Sequence, residues 1–174
     1  MQKHLLERNT IGLVRVAARR VLVLPLLLSL TMLLTGCGLF RPTDDGHTPA
    51  SAQKVMQSAY SQIGSKYRLG GASPQKGFDC SGLIYWAYSK HGVKVPRITT
   101  DQAKTGKSVS KFSAHAGDIV VFRTGSSPRG LHTGIYAGDN SFIHSPGKGK
   151  RVRMDKIDDK YWKDKLVSVR RVIR

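Results

Sequence analysis

The sequence predicts an α+β domain whose first half supplies helices and whose second half supplies one antiparallel sheet for them to pack on. Three observations carry this. Apolar residues recur at helical spacing before about residue 90. Short β-rich segments separated by turn residues fill the chain after residue 118. No internal repeat interrupts either half, and 174 residues suffice for one core and hardly for two.

In chain order, Ser51 is expected to cap a helix over 51–63, with Val55, Met56, Ala59, Tyr60 and Ile63 on its inward face and Gly64 ending it. Residues 65–79 read as a loop rich in Gly, Ser and Pro. A second helix is expected over 80–90, with Gly92 beyond its end, and a short third one within 97–106. Strands are expected at 119–122, 131–137, 141–145, 151–154 and 166–173.

The N-terminus addresses the compartment. Residues 21–34, VLVLPLLLSLTMLL, carry no charge and follow Arg15, Arg19 and Arg20. The run is shorter than the roughly 20 apolar residues of a spanning helix, so residues 1–36 read as a secretory signal. The stretch Leu34-Thr35-Gly36-Cys37 looks like a lipobox, at which diacylglycerol is attached to Cys37 and the chain is cut before it. Acyl chains bury roughly 0.8 kcal/mol per methylene, which would make such an anchor permanent. Gly38 stands where an Asp would resemble an inner-membrane retention signal, so an outer-membrane location facing the periplasm is expected. Residues 37–50 then comprise the lipidated Cys and a flexible linker, and residues 51–174 the domain.

The formal charge is +18, and only five of the cations, offset by Glu7, lie in the leader. A surface this basic seeks anions. Export removes nucleic acid from reach and leaves wall-peptide carboxylates and anionic lipopolysaccharide. The basic turn Gly147-Lys148-Gly149-Lys150-Arg151 is no phosphate loop, because the Gly-Lys-Ser/Thr ending before a helix is missing.

The chain has two cysteines. With Cys37 lipidated, Cys80 has no disulfide partner, and a free thiol in an oxidising compartment needs burial or a task. Cys80 opens the second helix and shares the inward face of Leu83, Ile84 and Ala87. Helix N-termini favour a thiolate, so a lowered thiol pKa is expected. His132 and His144 stand on two β-rich segments separated by Gly138-Asp139-Asn140. A three-residue loop centred on Gly138 would pair them directly on one sheet face. A loop one residue shorter or longer would put them out of phase. On one face, one imidazole can orient the other, as in a nucleophile–base–orienter triad.

The segments Tyr67-Arg68-Leu69-Gly70-Gly71, Gly77-Phe78-Asp79-Cys80-Ser81-Gly82-Leu83, Val95-Pro96-Arg97, Gly117-Asp118-Ile119-Val120-Val121-Phe122, His132-Thr133-Gly134-Ile135-Tyr136 and Phe142-Ile143-His144 resemble, in that order, the NlpC family of papain-like cysteine peptidases. The resemblance implies a papain-like α+β domain with N-terminal helices on a five- to six-stranded antiparallel sheet. It implies Cys80 as nucleophile, His132 as base and His144 as its orienting partner. Tyr67 matches an oxyanion- or substrate-contacting tyrosine, and Asp79 and Ser81 match positions lining the substrate cleft. The implied substrate is the peptidoglycan stem peptide, cut at the D-Ala–diaminopimelate cross-link or the D-γ-glutamyl–diaminopimelate bond. No cofactor or metal is expected, and the chain is expected to be a monomer.

Three other readings are compatible with the same residues. A related Cys/His enzyme would act as an N-acetylmuramoyl-L-alanine amidase. A non-catalytic envelope-binding lipoprotein would keep only the fold. A zinc site would use Cys80, His132 and His144, although no closely spaced ligand pair supports it.

Overall fold

The computed structural model describes residues 49–125 and 130–174. The expected signal, Cys37 and nearly all of the linker lie outside the described residues. Helix α1 is Ala50–Tyr60 and buries Ala52, Val55, Met56 and Ala59. Its N-cap is Pro49, which makes no side-chain cap, so Ser51 lies inside the first turn instead of capping it. The Pro49 carbonyl accepts the first helical N–H groups, from Ala52 and Gln53. Turns carry the chain from there to Gly64.

The expected loop at 65–79 holds a small hairpin of β1 (Ala72–Ser73) and β2 (Gly77–Phe78). Helix α2, Cys80–Ser89, buries Leu83, Ile84, Ala87 and Tyr88. The third helix, α3, is a single turn, Thr99–Gln102, shorter than expected. Ile98 before it is extended, and the chain leaves through Gly106, whose positive φ lets its backbone pack on the Arg171 carbonyl.

Six strands follow: β3 (Lys107–Val109), β4 (Ile119–Arg123), β5 (Leu131–Gly138), β6 (Ser141–His144), β7 (Arg153–Lys156) and β8 (Leu166–Arg171). Their order is β3-β8-β4-β5-β6-β7, and every neighbouring pair is antiparallel. Strand β3 has no counterpart in the sequence expectation. It is a three-residue edge strand with two exposed positions, so no apolar alternation marks it.

Alternation along the strands separates two cores. Ile119, Val121, Ile135, Ala137 and Ile143 join Val55, Met56, Leu83 and Ile84 on the helix-covered face. On the other face Val120, Phe122, Phe142 and Val169 pack with Ile157 and Trp162. Each fully buried side chain of this kind contributes about 1.5–3 kcal/mol relative to exposure.

The β5–β6 hairpin departs from the expected register. Gly138 pairs with Ser141 across a two-residue turn, and both turn residues, Asp139 and Asn140, have positive φ. Continued unchanged, that register would put His132 and His144 on opposite faces. Between Tyr136 and Gly138 the register shifts, so that Tyr136 pairs with Phe142 and Ile135 with Ile143. The extra residue, Ala137, restores the phase. The histidines therefore share a face without being directly opposed. Gly134 makes room between the strands, since a Cβ there would lie 2.6 Å from the Phe142 ring and 3.3 Å from the His144 Cβ.

Candidate active site

Cys80 is the first residue of α2, and its position is set by what precedes and follows it. The carboxylate of Asp79 accepts the Gly82 N–H at 2.7 Å as an N-cap. Gly82 must be glycine because a Cβ there would lie 2.0 Å from the Gly71 carbonyl oxygen. The helix start is thus pressed onto the β1 loop. It is tied to the sheet by Gln102, which is fully buried. The Gln102 amide donates to the Ser81 carbonyl at 2.9 Å and to the Pro96 carbonyl at 2.8 Å. Its oxygen accepts from Thr133 Oγ1 at 3.1 Å. Thr133 follows His132, so this clamp holds the thiol-bearing turn against β5.

On the other side of β5 the histidines form a line. His132 Nε2 and His144 Nδ1 are 2.7 Å apart, with their rings perpendicular. His144 Nε2 lies 3.0 Å from Asp155 Oδ2 on β7. Trp162 stacks beside His132 at 5.5 Å between centroids and meets His144 edge-on at 5.2 Å. Both histidines are buried. Among the described residues, no hydrogen bond joins the Cys80 thiol to the His132 imidazole. Contacts of this type commonly tighten only when substrate is bound.

Tyr67 is drawn to the same place. Its phenol is raised above its ordinary pKa by burial and by the nearby Cys80 and Asp79, and so stays protonated as a donor. Asp79 and Ser81 flank Cys80 in the chain. Both are buried, and Arg97 occupies them. Its guanidinium donates to Asp79 Oδ1 at 3.0 Å, to Asp79 Oδ2 at 2.9 Å and to Ser81 Oγ at 3.0 Å. The Gly70 N–H adds a further bond to the Asp79 carboxylate at 2.8 Å.

The protonation states differ from the sequence expectation at one point. Burial pushes the Cys80 thiol up, and the Asp79 charge beside it adds to the rise. The backbone N–H groups of Thr133, Ser81 and Cys80 act the other way and are outweighed. The helix N-terminus favours a thiolate, but the cap that builds this N-terminus is itself an anion. His132 is lowered to about 3, first by burial and then by His144. His144 is also lowered by burial, against the pull of Asp155. Asp155 is held below the usual carboxylate range by its hydrogen bonds, which outweigh its own desolvation. The resting site is thus a neutral thiol with two neutral imidazoles and one carboxylate.

A cleft of about 410 Å³ is lined by His132 together with Lys150, Arg153, Asp155, Tyr161 and Trp162. Among the described residues, no three His, Cys, Asp or Glu side chains are grouped to hold a metal ion, and no helix is long and apolar enough to cross a membrane. Sequence reasoning missed Gln102, Arg97 and Asp155. Arg97 lies within a quoted family segment, but Gln102 and Asp155 carry no motif and join the site only through long-range packing.

Residues 64–171 match the NlpC/P60 family. The chain is 39% identical over 121 residues to the Escherichia coli protein named murein DD-endopeptidase MepS/murein LD-carboxypeptidase, covering 69% of this chain and 62% of that protein. It is 36% identical over 129 residues to murein DD-endopeptidase MepH of the same organism, covering 72% of this chain and 46% of that one. The crystal structure of a lipoprotein-like NLP/P60 protein from Staphylococcus aureus superposes with a TM-score of 0.63 at 37% identity, covering 78% of this chain and 45% of that one. The chain thus spans less than two thirds of the length of each. With the helix-borne thiol, the paired histidines and this match over more than half its length, the chain belongs to the NlpC/P60 family.

Proposed function

We propose that this protein is a peptidoglycan hydrolase, a cysteine endopeptidase that cuts amide bonds in cell-wall stem peptides. The observation that carries the reading is the helix-borne Cys80 whose turn is clamped against β5, the strand that carries His132 and its hydrogen bond to His144. His132 takes the thiol proton as the sulfur attacks the scissile carbonyl, so charge separates only when substrate is in place. The oxyanion that forms is met by the Cys80 backbone N–H and the Tyr67 hydroxyl. His132 then gives its proton to the leaving amine, and a thioester remains on Cys80. Water, activated by His132, hydrolyses the thioester and restores the thiol. The relatives named as murein DD-endopeptidases support the D-Ala–diaminopimelate cross-link as the bond cut.

The remaining expectations follow the same compartment. Cys37 is the lipid attachment site, residues 1–36 are removed on export, and the domain works from the outer membrane toward the wall as a monomer. The basic surface favours carboxylate-bearing stems and lipopolysaccharide.

Purified sacculi and mass spectrometry of the released fragments test the reading. Cys80→Ala is expected to abolish release while the thermal unfolding midpoint stays near the parent's. Full activity of Cys80→Ala sinks the mechanism. Fragments carrying intact peptides severed from the sugar would make the enzyme an amidase.

A further inference from the structure

Behind the His132–His144 pair stands the carboxylate of Asp155 on β7. We propose that Asp155 is a positioning residue that fixes the tautomers of both histidines and so makes Nδ1 of His132 the basic nitrogen. The catalytic consequence rests on the peptidase reading, but the tautomer assignment does not.

Three nitrogens converge on Oδ2 of Asp155: Arg153 Nη2 at 2.9 Å, Trp162 Nε1 at 3.0 Å and His144 Nε2 at 3.0 Å. Guanidinium and indole N–H groups can only donate. An oxygen holding two obligate donors is an acceptor, so the third bond must come from a His144 Nε2 that carries its hydrogen. Neutral His144 then has a bare Nδ1. That atom lies 2.7 Å from His132 Nε2, so His132 Nε2 must donate. The single hydrogen of neutral His132 is used there, and its Nδ1 keeps a free lone pair. One carboxylate on β7 thereby sets the proton positions of two rings on β5 and β6.

Packing keeps the rings from turning to another arrangement. Trp162 lies beside His132 and edge-on to His144, and Phe142 covers His144 at 4.8 Å between centroids. The same residues predict that Asn can substitute. Arg153 and Trp162 require an oxygen where Oδ2 now sits, so the amide of Asp155→Asn is oriented with its oxygen there and still accepts from His144. An isolated Asp–His pair has no such constraint, and Asn there can donate and impose the wrong tautomer.

The test is imidazole ¹⁵N NMR on histidine-labelled full-length protein at neutral pH, with turnover of purified muropeptides in parallel. The parent and Asp155→Asn should show His132 protonated at Nε2 and bare at Nδ1. Asp155→Ala should show a mixture of tautomers. Its kcat should fall by about tenfold to 100-fold with KM nearly unchanged, while Asp155→Asn stays within about threefold of the parent. A parent His132 protonated at Nδ1 overturns the proposal, as does parental kcat in Asp155→Ala. Asp155→Asn behaving like Asp155→Ala overturns Oδ2 as the controlling acceptor. If Asp155→Ala does not fold, the parent and Asn spectra still decide. If the parent cuts no muropeptide, the peptidase reading fails while the spectra still assign the tautomers.

Discussion

Two buried or half-buried carboxylates organise opposite sides of β5, and they differ in what they hold. Asp79 is held by the backbone N–H groups of Gly70 and Gly82 and by the guanidinium of Arg97. Asp155 shares its oxygen among Arg153, Trp162 and a histidine. A carboxylate held by fixed donors can only pin structure. One that includes an imidazole can also transmit a proton position. The first network places the sulfur, and the second orders the nitrogens.

The largest effect that would sharpen this contrast is on stability. Asp79→Ala removes the cap of α2 and leaves Arg97 facing a half-buried hole. A loss of about 2–4 kcal/mol is expected by urea unfolding. Asp155→Ala should cost less, about 1–2 kcal/mol, because Arg153 is largely exposed and can turn to water. Equal losses at the two positions would erase the distinction.

A smaller effect lies between the histidines. His144→Ala leaves His132 Nε2 without its partner, and kcat should fall about 100-fold. His144→Gln still offers a hydrogen-bonding oxygen and should lose only about tenfold. Equal rates for the two variants would show that His144 does not orient His132.

The smallest effect is a slope. The folded pKa of His132 lies at about 3 against an ordinary 6.5, and that of His144 is also depressed. Groups of this sign contribute their full stability above the unfolded pKa and lose it as pH falls toward the folded one. Thermal or urea unfolding between pH 6 and 4 should therefore show stability falling on acidification, by up to about 1.4 kcal/mol per pH unit per histidine. His144→Gln should flatten that slope. An unchanged slope would mean that the buried imidazole is not resisting protonation.

How much could be read in advance follows from how local each feature is. Helix α2 was legible because an inward stripe of Leu83, Ile84 and Ala87 and a following glycine fall close together after a Gly- and Pro-rich loop. Strands β4, β5, β6 and β8 were legible from apolar and β-branched runs between turns. Strand β3 and the one-turn helix α3 were not, since an exposed edge and a single turn leave no periodic signal. The histidine geometry was half legible. Spacing suggested a common face, but the two-residue turn alone would have denied it, and the shift at Ala137 is invisible in residue types.

Residue order alone thus settled the layering of helices against sheet, and it marked Cys80, His132 and His144 by their local patterns. Folding in three dimensions settled everything that depends on groups distant in the chain. Arg97 closes over Asp79 and Ser81, Gln102 ties α2 to β5, and Asp155 meets His144 from a neighbouring strand. The charge of the thiol belongs to this second class. Backbone N–H groups and desolvation oppose one another at Cys80, and only the packed surroundings show that desolvation prevails.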